Sequence, residues 1–518
     1  MNRRKDYVQD LVLSLSKEEK RRFTLLFSNS GKGEELALFY KLYSVYENRK
    51  SELSRDLLAV ESTAITSAKK RLYNNLLRTL RDLNEDSSTD IQIQNKLTNV
   101  ELLYNHSLPE QSVLELKRAY GEAQKYEKFG LILQLLDWEK RLNIVLSRPT
   151  RTLKEIKREE RDILKQLTQQ MDLESMYNHI VETKRKLGYA KGKDKTALEK
   201  ETVKNPGMPQ SNECLSNNAR FYRHYIHAIY YWMTFNHIEA YNHSKELLEF
   251  DAHNIQPDDY INGIFQHITS SVCLAKFNDT LNGIVLAEAL MEQYQLNQSL
   301  PFASVMFAYH ANYKMIVLNY MGKQKQLKDF VQQVELRIKE SGKAISADVL
   351  QIIFANLLVS YIGLNLPDRV TETRKRLLDM KKKTALRLDI HADLYLFQLF
   401  FLMQTGAYDL IKPAARSALY FFRKQADAQK VFEVEMPIAL LLAKEHNYED
   451  QKTRKELLSK CRQIVEHFIS RLRGAINFQE HYSRYVIWFD AIEKGIPFHK
   501  AAKTWYEEFE DINSNVSH

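Results

Sequence analysis

"DLYLFQLFFLMQTGAYDLIKPAARSALYFF", residues 393–422, decides the fold, because it contains two helices and the turn between them. Residues 393–403 are apolar on nearly every side, which is typical of a helix covered on several sides. Gly406 then supplies a turn, and Pro413 lies in a first helical turn, where its missing N–H is harmless. Apolar residues in the second half recur at helical spacing and predict one buried stripe: Ile411, Ala414, Ala415, Ala418, Leu419 and Phe422.

The same alternation of an apolar run, a tight break and an amphipathic run recurs from about residue 219 onward. The breaks follow one another at intervals of 41 to 44 residues, near Asn236, Asn278, Gly322, Gly363, Gly406 and Asn447. A period of that length, less the turns, leaves room for two helices of up to about 19 residues each. This regularity predicts stacked helical hairpins, in which each unit completes the apolar interior of its neighbour.

Composition supports a helical chain. Only 15 Gly and 10 Pro punctuate 518 residues, well below the average usage of about 7% and 5%. Hydrophobic residues make up 44% of the chain, which is ample for a buried core. We therefore expect an all-α fold with long helices and short turns.

Two segments also resemble a known repeat family. "TGAYDLIKPAARSAL" (405–419) and "FNHIEAYNHSKELLEF" (235–250) are similar to the centre of a tetratricopeptide repeat, with a small or polar residue at the turn, an aromatic or aliphatic residue, and then alanine. The resemblance covers about residues 219–475, although the period exceeds that family's 34 residues. It implies a helical-hairpin repeat array, an α-solenoid, that binds proteins or peptides.

Four segments are expected along the chain. They are a compact helical segment at 1–85, helical hairpins at 86–187, an exposed linker at 188–218 and the tetratricopeptide-like array at 219–518. The linker is inferred from its Gly and Pro content and its weak periodicity. In the first segment, Ser16 with Glu19 three residues later predicts a capping box at the start of a helix.

"ITSAKKRLYNNLLRTLRDL" (65–83) predicts an amphipathic helix with basic residues on its polar side: Lys70, Arg71, Arg78 and Arg81. A recognition helix in a DNA groove would use such residues to reach phosphates and base edges, with 52–64 as its supporting helix. An ordinary amphipathic helix with a solvated basic face has the same pattern. Both interpretations stay open, and we favour the solvated face.

The net charge of +9 is concentrated in two places. Residues 1–85 hold 17 Lys/Arg against 12 Asp/Glu, and residues 150–204 hold 14 against 10. Each excess is modest, far below that of a polybasic tail. Charge alone therefore does not indicate a nucleic-acid-binding protein.

"RFYRHYIHAIYYWMTF" (220–235) carries a possible partner-binding surface formed by Tyr222, Tyr225, Tyr230, Tyr231 and Trp232. Packing inside the core or between domains explains the same residues, and we prefer that interpretation. His224 and His227 have the spacing to share a metal, but no cysteine pair or zinc-protease motif supports them. We expect no metal site.

The chain shows no phosphate-binding loop, nucleophile elbow or dinucleotide fingerprint. Its three cysteines, Cys214, Cys273 and Cys461, are scattered singly, which favours a reducing compartment. The start lacks the apolar run of a secretory leader, so we expect none, and the most apolar run, 349–366, is interrupted by polar residues. We expect a cytoplasmic, non-enzymatic scaffold that needs no cofactor, binds a protein or peptide and does not bind membranes. The alternative is a regulator whose N-terminal helices bind nucleic acid.

Overall fold

The fold of the chain is all-α. The computed structural model describes residues 7–28, 33–47, 63–83, 88–252, 254–294, 296, 300–341, 345–381, 387–425, 428–472 and 480–516. Within these ranges the regular secondary structure is helical, without a strand, as the sequence predicted. None of the helices in the same ranges is both long and apolar enough to cross a lipid bilayer.

The chain divides into two compact units, Met1–Ile163 and Leu164–His518, and the division falls inside a 35-residue helix. The first unit contains α1 (Tyr7–Ser14), α2 (Lys17–Ser28), α3 (Gly33–Glu47), α4 (Thr63–Leu83), α5 (Thr89–Asn105), α6 (Pro109–Lys125), α7 (Phe129–Val145) and the beginning of α8 (Leu153–Leu187).

The second unit continues from α8. Its helices are α9 (Gly192–Glu201), α10 (Asn217–Met233), α11 (His237–Glu246), α12 (Pro257–Val272), α13 (Phe277–Gln293), α14 (Leu300–Tyr320), α15 (Gln324–Ser341), α16 (Ala347–Gly363), α17 (Pro367–Lys381), α18 (Leu388–Thr405), α19 (Ile411–Arg423), α20 (Ala428–Val431), α21 (Glu435–Leu442), α22 (Gln451–Ser470), α23 (Glu480–Lys494) and α24 (Phe498–Val516).

One type of turn joins the helices of most hairpins. A residue with positive φ follows the first helix, and the next N–H donates to the carbonyl five residues back, as in a Schellman motif. In the second unit the positive-φ residues at these hairpin turns are Phe235, Ala275, Gly322, Asn365, Gly406 and Gly495. The matching bonds include Asn236 N–H to Tyr231 and Ala407 N–H to Leu402, each 2.9–3.0 Å. Ser107 and Glu127 play the same part in the first unit.

All six breaks read from the sequence lie at or beside hairpin turns. Gly322 and Gly406 occupy the positive-φ position itself. At two other turns the predicted residue lies close to the positive-φ residue. Asn236 follows Phe235 and caps α11, and Gly363 ends α16 shortly before Asn365. Gly363 packs closely on α14, because a Cβ there would clash with the Asn319 side-chain oxygen in its present position.

The buried stripe predicted for the segment after Gly406 is confirmed. The buried residues of α19 are the six predicted ones, and Pro413 lies in its first turn. The preceding helix, α18, is buried on most sides, also as predicted. The hairpins themselves are thus shown, while membership of the tetratricopeptide class stays a prediction.

The first helix of each hairpin is covered from two directions. Helices α10, α12, α14 and α16 contact one another in chain order, and each also contacts the second helix of its own hairpin. The C-terminal pair packs against three first helices, with α24 on α14 and α16 and α23 on α18. Side chains of α23 are among the largest that are fully buried: Tyr482, Tyr485, Trp488 and Phe489.

The segment 188–218 is less exposed than the sequence suggested. It contains α9, and Ala190, Leu198 and Thr202 are buried. Ala190 also donates its N–H to the carbonyl of Met233, 2.9 Å away. The expectation of an exposed linker was wrong for these residues, because a Gly- and Pro-rich composition does not reveal which side chains face a neighbouring helix.

The N-terminal helices form a small bundle. Helices α1 and α2 each contact α3 and α4, and their common core is Val12, Leu15, Phe23, Phe39, Leu42, Leu72 and Leu76. The predicted capping box is present: Ser16 N–H donates to the Glu19 carboxylate at 2.6 Å, and Glu19 N–H donates to Ser16 Oγ at 3.2 Å.

Candidate interaction sites

Helix α4 has the amphipathic character that the sequence predicted. Leu72 and Leu76 are buried against α1–α3, whereas Lys70, Arg78 and Arg81 are exposed. Arg71 is also exposed, but its Nε donates to the Glu35 carboxylate at 2.9 Å. Most of the predicted supporting helix, 52–64, lies outside the residues described. The polar face of α4 is therefore available to a partner, with three side chains along one line.

The aromatic residues of α10 lie in the core. Tyr222, Tyr225, Tyr230 and Trp232 are buried, and only Tyr231 is half-buried. Trp232 stacks on Tyr189 with ring centres 4.7 Å apart. The exposed-surface interpretation is therefore wrong for four of the five, and packing explains them. A sequence rich in aromatic residues does not show whether another helix covers them.

Histidines of α10 and α11 form a compact cluster. The Nδ1 atoms of His224 and His243 are 3.1 Å apart, and the rings of His227 and His243 stack at 4.9 Å. His227 Nδ1 donates to the Arg223 carbonyl at 2.8 Å, which fixes its tautomer. The pKa is lowered to about 4 for His224 and His227 and to about 3 for His243, mainly by burial and in part by the charge of nearby Arg223. No group of three or more potential ligands within the described ranges could hold a metal ion.

The lowered pKa values of these three histidines make the free energy of unfolding depend on pH. The clustered histidines are neutral in the folded chain down to about pH 4, but an unfolded histidine titrates near pH 6.5. The unfolded state therefore binds more protons between these values, so the histidines' contribution to stability is lost as pH falls from about 6.5 to 4. Burial raises the pKa of Asp393 to about 7, and this acts in the opposite direction.

A His227→Gln variant separates the pH effect of this histidine from that of Asp393, because glutamine keeps a polar side chain that does not titrate. We expect wild type to have the higher Tm at pH 7, and the difference in Tm to shrink as pH falls to 4.5. Thermal unfolding followed by circular dichroism at several pH values measures this. A difference that stays constant or widens would contradict the assignment.

A second cluster, which the sequence analysis missed, joins α18 to α23. The Asp393 carboxylate accepts from Arg484 Nη2 at 2.7 Å and from the Tyr485 hydroxyl at 2.6 Å, and His481 Nε2 lies 3.5 Å away. Donors at i, i+3 and i+4 of one helix thus converge on one buried carboxylate. The available signal was a single aspartate within the apolar run 393–403, since a buried charge requires a partner.

Further polar contacts fix the same helix. Tyr482 donates its hydroxyl to Glu435 at 3.1 Å and accepts from Lys191 Nζ at 2.9 Å. Trp488 Nε1 donates to the Gln404 side-chain oxygen at 2.7 Å. These bonds fix both the rotation of α23 and its position along its axis, which apolar packing alone does not specify.

The contribution of the Asp393 cluster can be measured by substitution. Asp393→Ala removes the carboxylate opposite the buried Arg484 guanidinium, and breaking such a pair costs about 3–5 kcal/mol of unfolding free energy. Tyr485→Phe removes one hydrogen bond and should cost about 1–3 kcal/mol. Urea unfolding followed by tryptophan fluorescence gives both values, with exposed Asp409→Ala as the control at under about 0.5 kcal/mol. Equal effects of the Asp393 and Asp409 changes would contradict a structural role for the cluster.

A cavity of about 360 Å³ lies at the turn ends of α16, α18 and α23. Its walls include Tyr361, Gln404, Tyr408 and Arg454. Arg454 Nη1 donates to the carbonyls of Tyr448 and Glu449 at 2.6 and 2.9 Å, and Gln404 accepts from Trp488. Hydrogen bonds within the protein thus engage Gln404 and Arg454, two of the polar residues of the cavity wall.

The connection between α7 and α8 is held by a dense polar network. Buried Glu139 accepts from Thr150 Oγ1 at 2.6 Å and from Arg151 Nη2 at 2.5 Å. Asn143 accepts from Thr150 N–H at 2.9 Å and donates to the Arg151 carbonyl at 3.0 Å. Although burial favours the neutral acid, the bonds from Arg151 and Thr150 outweigh it and hold the pKa of Glu139 below its usual range. The end of α7 and the start of α8 are therefore fixed side by side.

No family model, curated protein or solved structure matches this chain. The function is therefore inferred from the geometry of the chain's own residues.

Proposed function

We propose that this chain is a non-enzymatic, cytoplasmic scaffold that binds a protein or peptide through a tetratricopeptide-like array of helical hairpins. One observation supports this most. The first helices of the array already hold a helical segment of the same chain, α23–α24, through large anchoring side chains. Insertion of an amphipathic helix between other helices is also a common mode of peptide recognition.

The contacts of α23 have the composition of a recognition interface. Tyr482, Tyr485 and Trp488 are buried, and Arg484 pairs with Asp393. Tyrosine, tryptophan and arginine are the residues that dominate binding energy between proteins. The array thus binds a helix specifically, although the helix is its own.

Because α23–α24 cover parts of α14, α16 and α18, an external partner is expected on the second helices. Large apolar side chains are exposed there on α13 and α15: Val285 at 65% and Leu336 at 57% of their surface. Single exposed apolar residues are common on any protein. Their place on successive second helices makes this side the first one to test.

Affinity capture with the full chain tests the proposal. The immobilised protein is incubated with a native lysate that has been cleared of membranes, and retained proteins are identified after crosslinking. We expect a specific protein in near-stoichiometric amount, with crosslinks on α13 or α15. Val285→Asp with Leu336→Asp should reduce its yield at least about tenfold, since charges introduced into an apolar contact are poorly tolerated.

Leu114→Asp is the matched control, because Leu114 lies on α6 of the other unit and is 58% exposed. It should leave the yield unchanged. Failure of the folded wild-type chain to retain any protein would count against the scaffold function.

Nucleic-acid binding by the N-terminal bundle is the second candidate. The observation that favours it is the exposed line of Lys70, Arg78 and Arg81 on α4, opposite buried Leu72 and Leu76. Such a line can follow a phosphate backbone without a metal or cofactor.

Duplex DNA binding by the full chain tests this candidate. If α4 contacts phosphates, affinity should fall steeply with salt, and Lys70→Ala, Arg78→Ala and Arg81→Ala together should reduce the salt slope by about three. Fluorescence anisotropy between 25 and 200 mM salt measures both. Lys154→Ala, Lys157→Ala and Arg158→Ala form the matched control on α8. No binding at the lowest salt, or equal losses in both triple variants, would rule out α4 as the contact.

A further inference from the structure

Three exposed aliphatic side chains of the first unit lie at the connection between α7 and α8. Ile144 is 83% exposed, Leu153 is 55% exposed and Val145 is 49% exposed. Exposing Ile and Val at successive positions is unfavourable in water. Polar residues at the end of α7 and the start of α8 would be better solvated, so this group of apolar side chains is a candidate contact for a partner.

The connection is also too well ordered to expose these residues by accident. Glu139, Asn143, Thr150 and Arg151 hold it through the bonds described above, and Arg151 also pairs with Glu159. Glu155 caps the start of α8 by accepting from Thr152 N–H at 2.8 Å. A fixed connection presents its side chains without a further entropic cost when a partner binds.

A line of cations continues from the aliphatic residues along α8. Lys154, Lys157, Arg158 and Arg161 occur at i, i+3, i+4 and i+7, so they share one face of the helix, and all four are exposed. They span about 10 Å at 1.5 Å per residue. Part of the excess of Lys and Arg in residues 150–204 is thus concentrated at the start of α8, next to the exposed Leu153. We call Ile144, Val145, Leu153 and these four cations the α7–α8 surface.

We propose that the α7–α8 surface binds peripherally to an anionic lipid surface, with the aliphatic side chains entering the acyl boundary and the cations among the headgroups. The aliphatic side chains suit the acyl boundary of such a membrane, and the cations suit its anionic headgroups. This contact needs no spanning helix, so it is compatible with the absence of one among the described helices. It departs from the expectation drawn from the sequence, which was that the chain does not bind membranes.

Two other anionic partners fit the surface less well. Nucleic acid would satisfy the cations but would leave Ile144 and Val145 in water. An acidic protein segment would need carboxylates placed opposite each cation, and the exposed apolar residues here are aliphatic, whereas tyrosine and tryptophan usually anchor protein contacts. A lipid surface offers anionic groups throughout its plane and requires no such register.

Cosedimentation of the full chain with vesicles tests the proposal. One set contains phosphatidylcholine alone, and the other contains phosphatidylcholine with 30% phosphatidylserine, both in 100 mM salt. We expect binding to the anionic vesicles and at least about tenfold weaker binding to the neutral ones, since each cation near an anionic surface contributes about fivefold to partitioning.

Matched variants separate the aliphatic and ionic parts. Ile144→Ser with Val145→Ser should reduce binding to anionic vesicles at least about fivefold at unchanged net charge, and Lys154→Glu with Lys157→Glu at least about tenfold. Lys70→Glu with Arg78→Glu makes the same charge change on α4 and should reduce binding by less than about twofold. Because all six positions are exposed, thermal unfolding should be nearly unchanged, and this is measured for each variant.

Several results would overturn the proposal. They are no binding of wild type to anionic vesicles, equal losses in the α4 and α8 variants, or full binding by the Ile144→Ser/Val145→Ser variant. Binding of an amphipathic peptide with leucines on one side and glutamates on the other, without vesicle binding, would assign the surface to a protein partner instead. Capture of proteins from membrane-free lysate is independent of all these outcomes, so the two proposals can fail separately.

Discussion

The structure of the second unit depends on the burial of its first helices from two directions. Helices α12, α14, α16 and α18 are so apolar that contact with a single neighbour would leave much of their surface in water. The second helix of each hairpin covers one side. The C-terminal pair, α23–α24, covers part of another, and its own aromatic residues are buried in the process.

Polar contacts within that interior give it specificity. Apolar side chains alone allow a helix to rotate or slide at little cost, whereas Asp393 accepts only from donors at the spacing of Arg484 and Tyr485. A buried charge is expensive without its partner, so wrong positions of α23 are penalised more than the right one is rewarded. The result is one arrangement in which the C-terminal helices occupy the side of the array that a ligand could otherwise use.

This arrangement moves candidate interaction sites away from the first helices. The aromatic residues of α10 are core residues, and the exposed features are the second helices, the basic face of α4 and the α7–α8 surface. Each of these offers different chemistry: scattered apolar side chains, a line of cations, and an aliphatic tip with a basic border. The last is the most specific, because a buried polar network fixes its shape.

The sequence by itself determined the helices, the positions of the turns, the stripe of α19 and the capping box at Ser16, since these follow from local periodicity and local hydrogen bonding. It also placed Lys70, Arg78 and Arg81 on one face. Only the tertiary structure decided that Tyr222, Tyr225, Tyr230 and Trp232 are buried, that α23 pairs with Asp393, and that Ile144 is exposed. Those outcomes depend on which helices meet across long stretches of the chain. Asp393 and Tyr485, for example, are 92 positions apart, and no local pattern encodes that pairing.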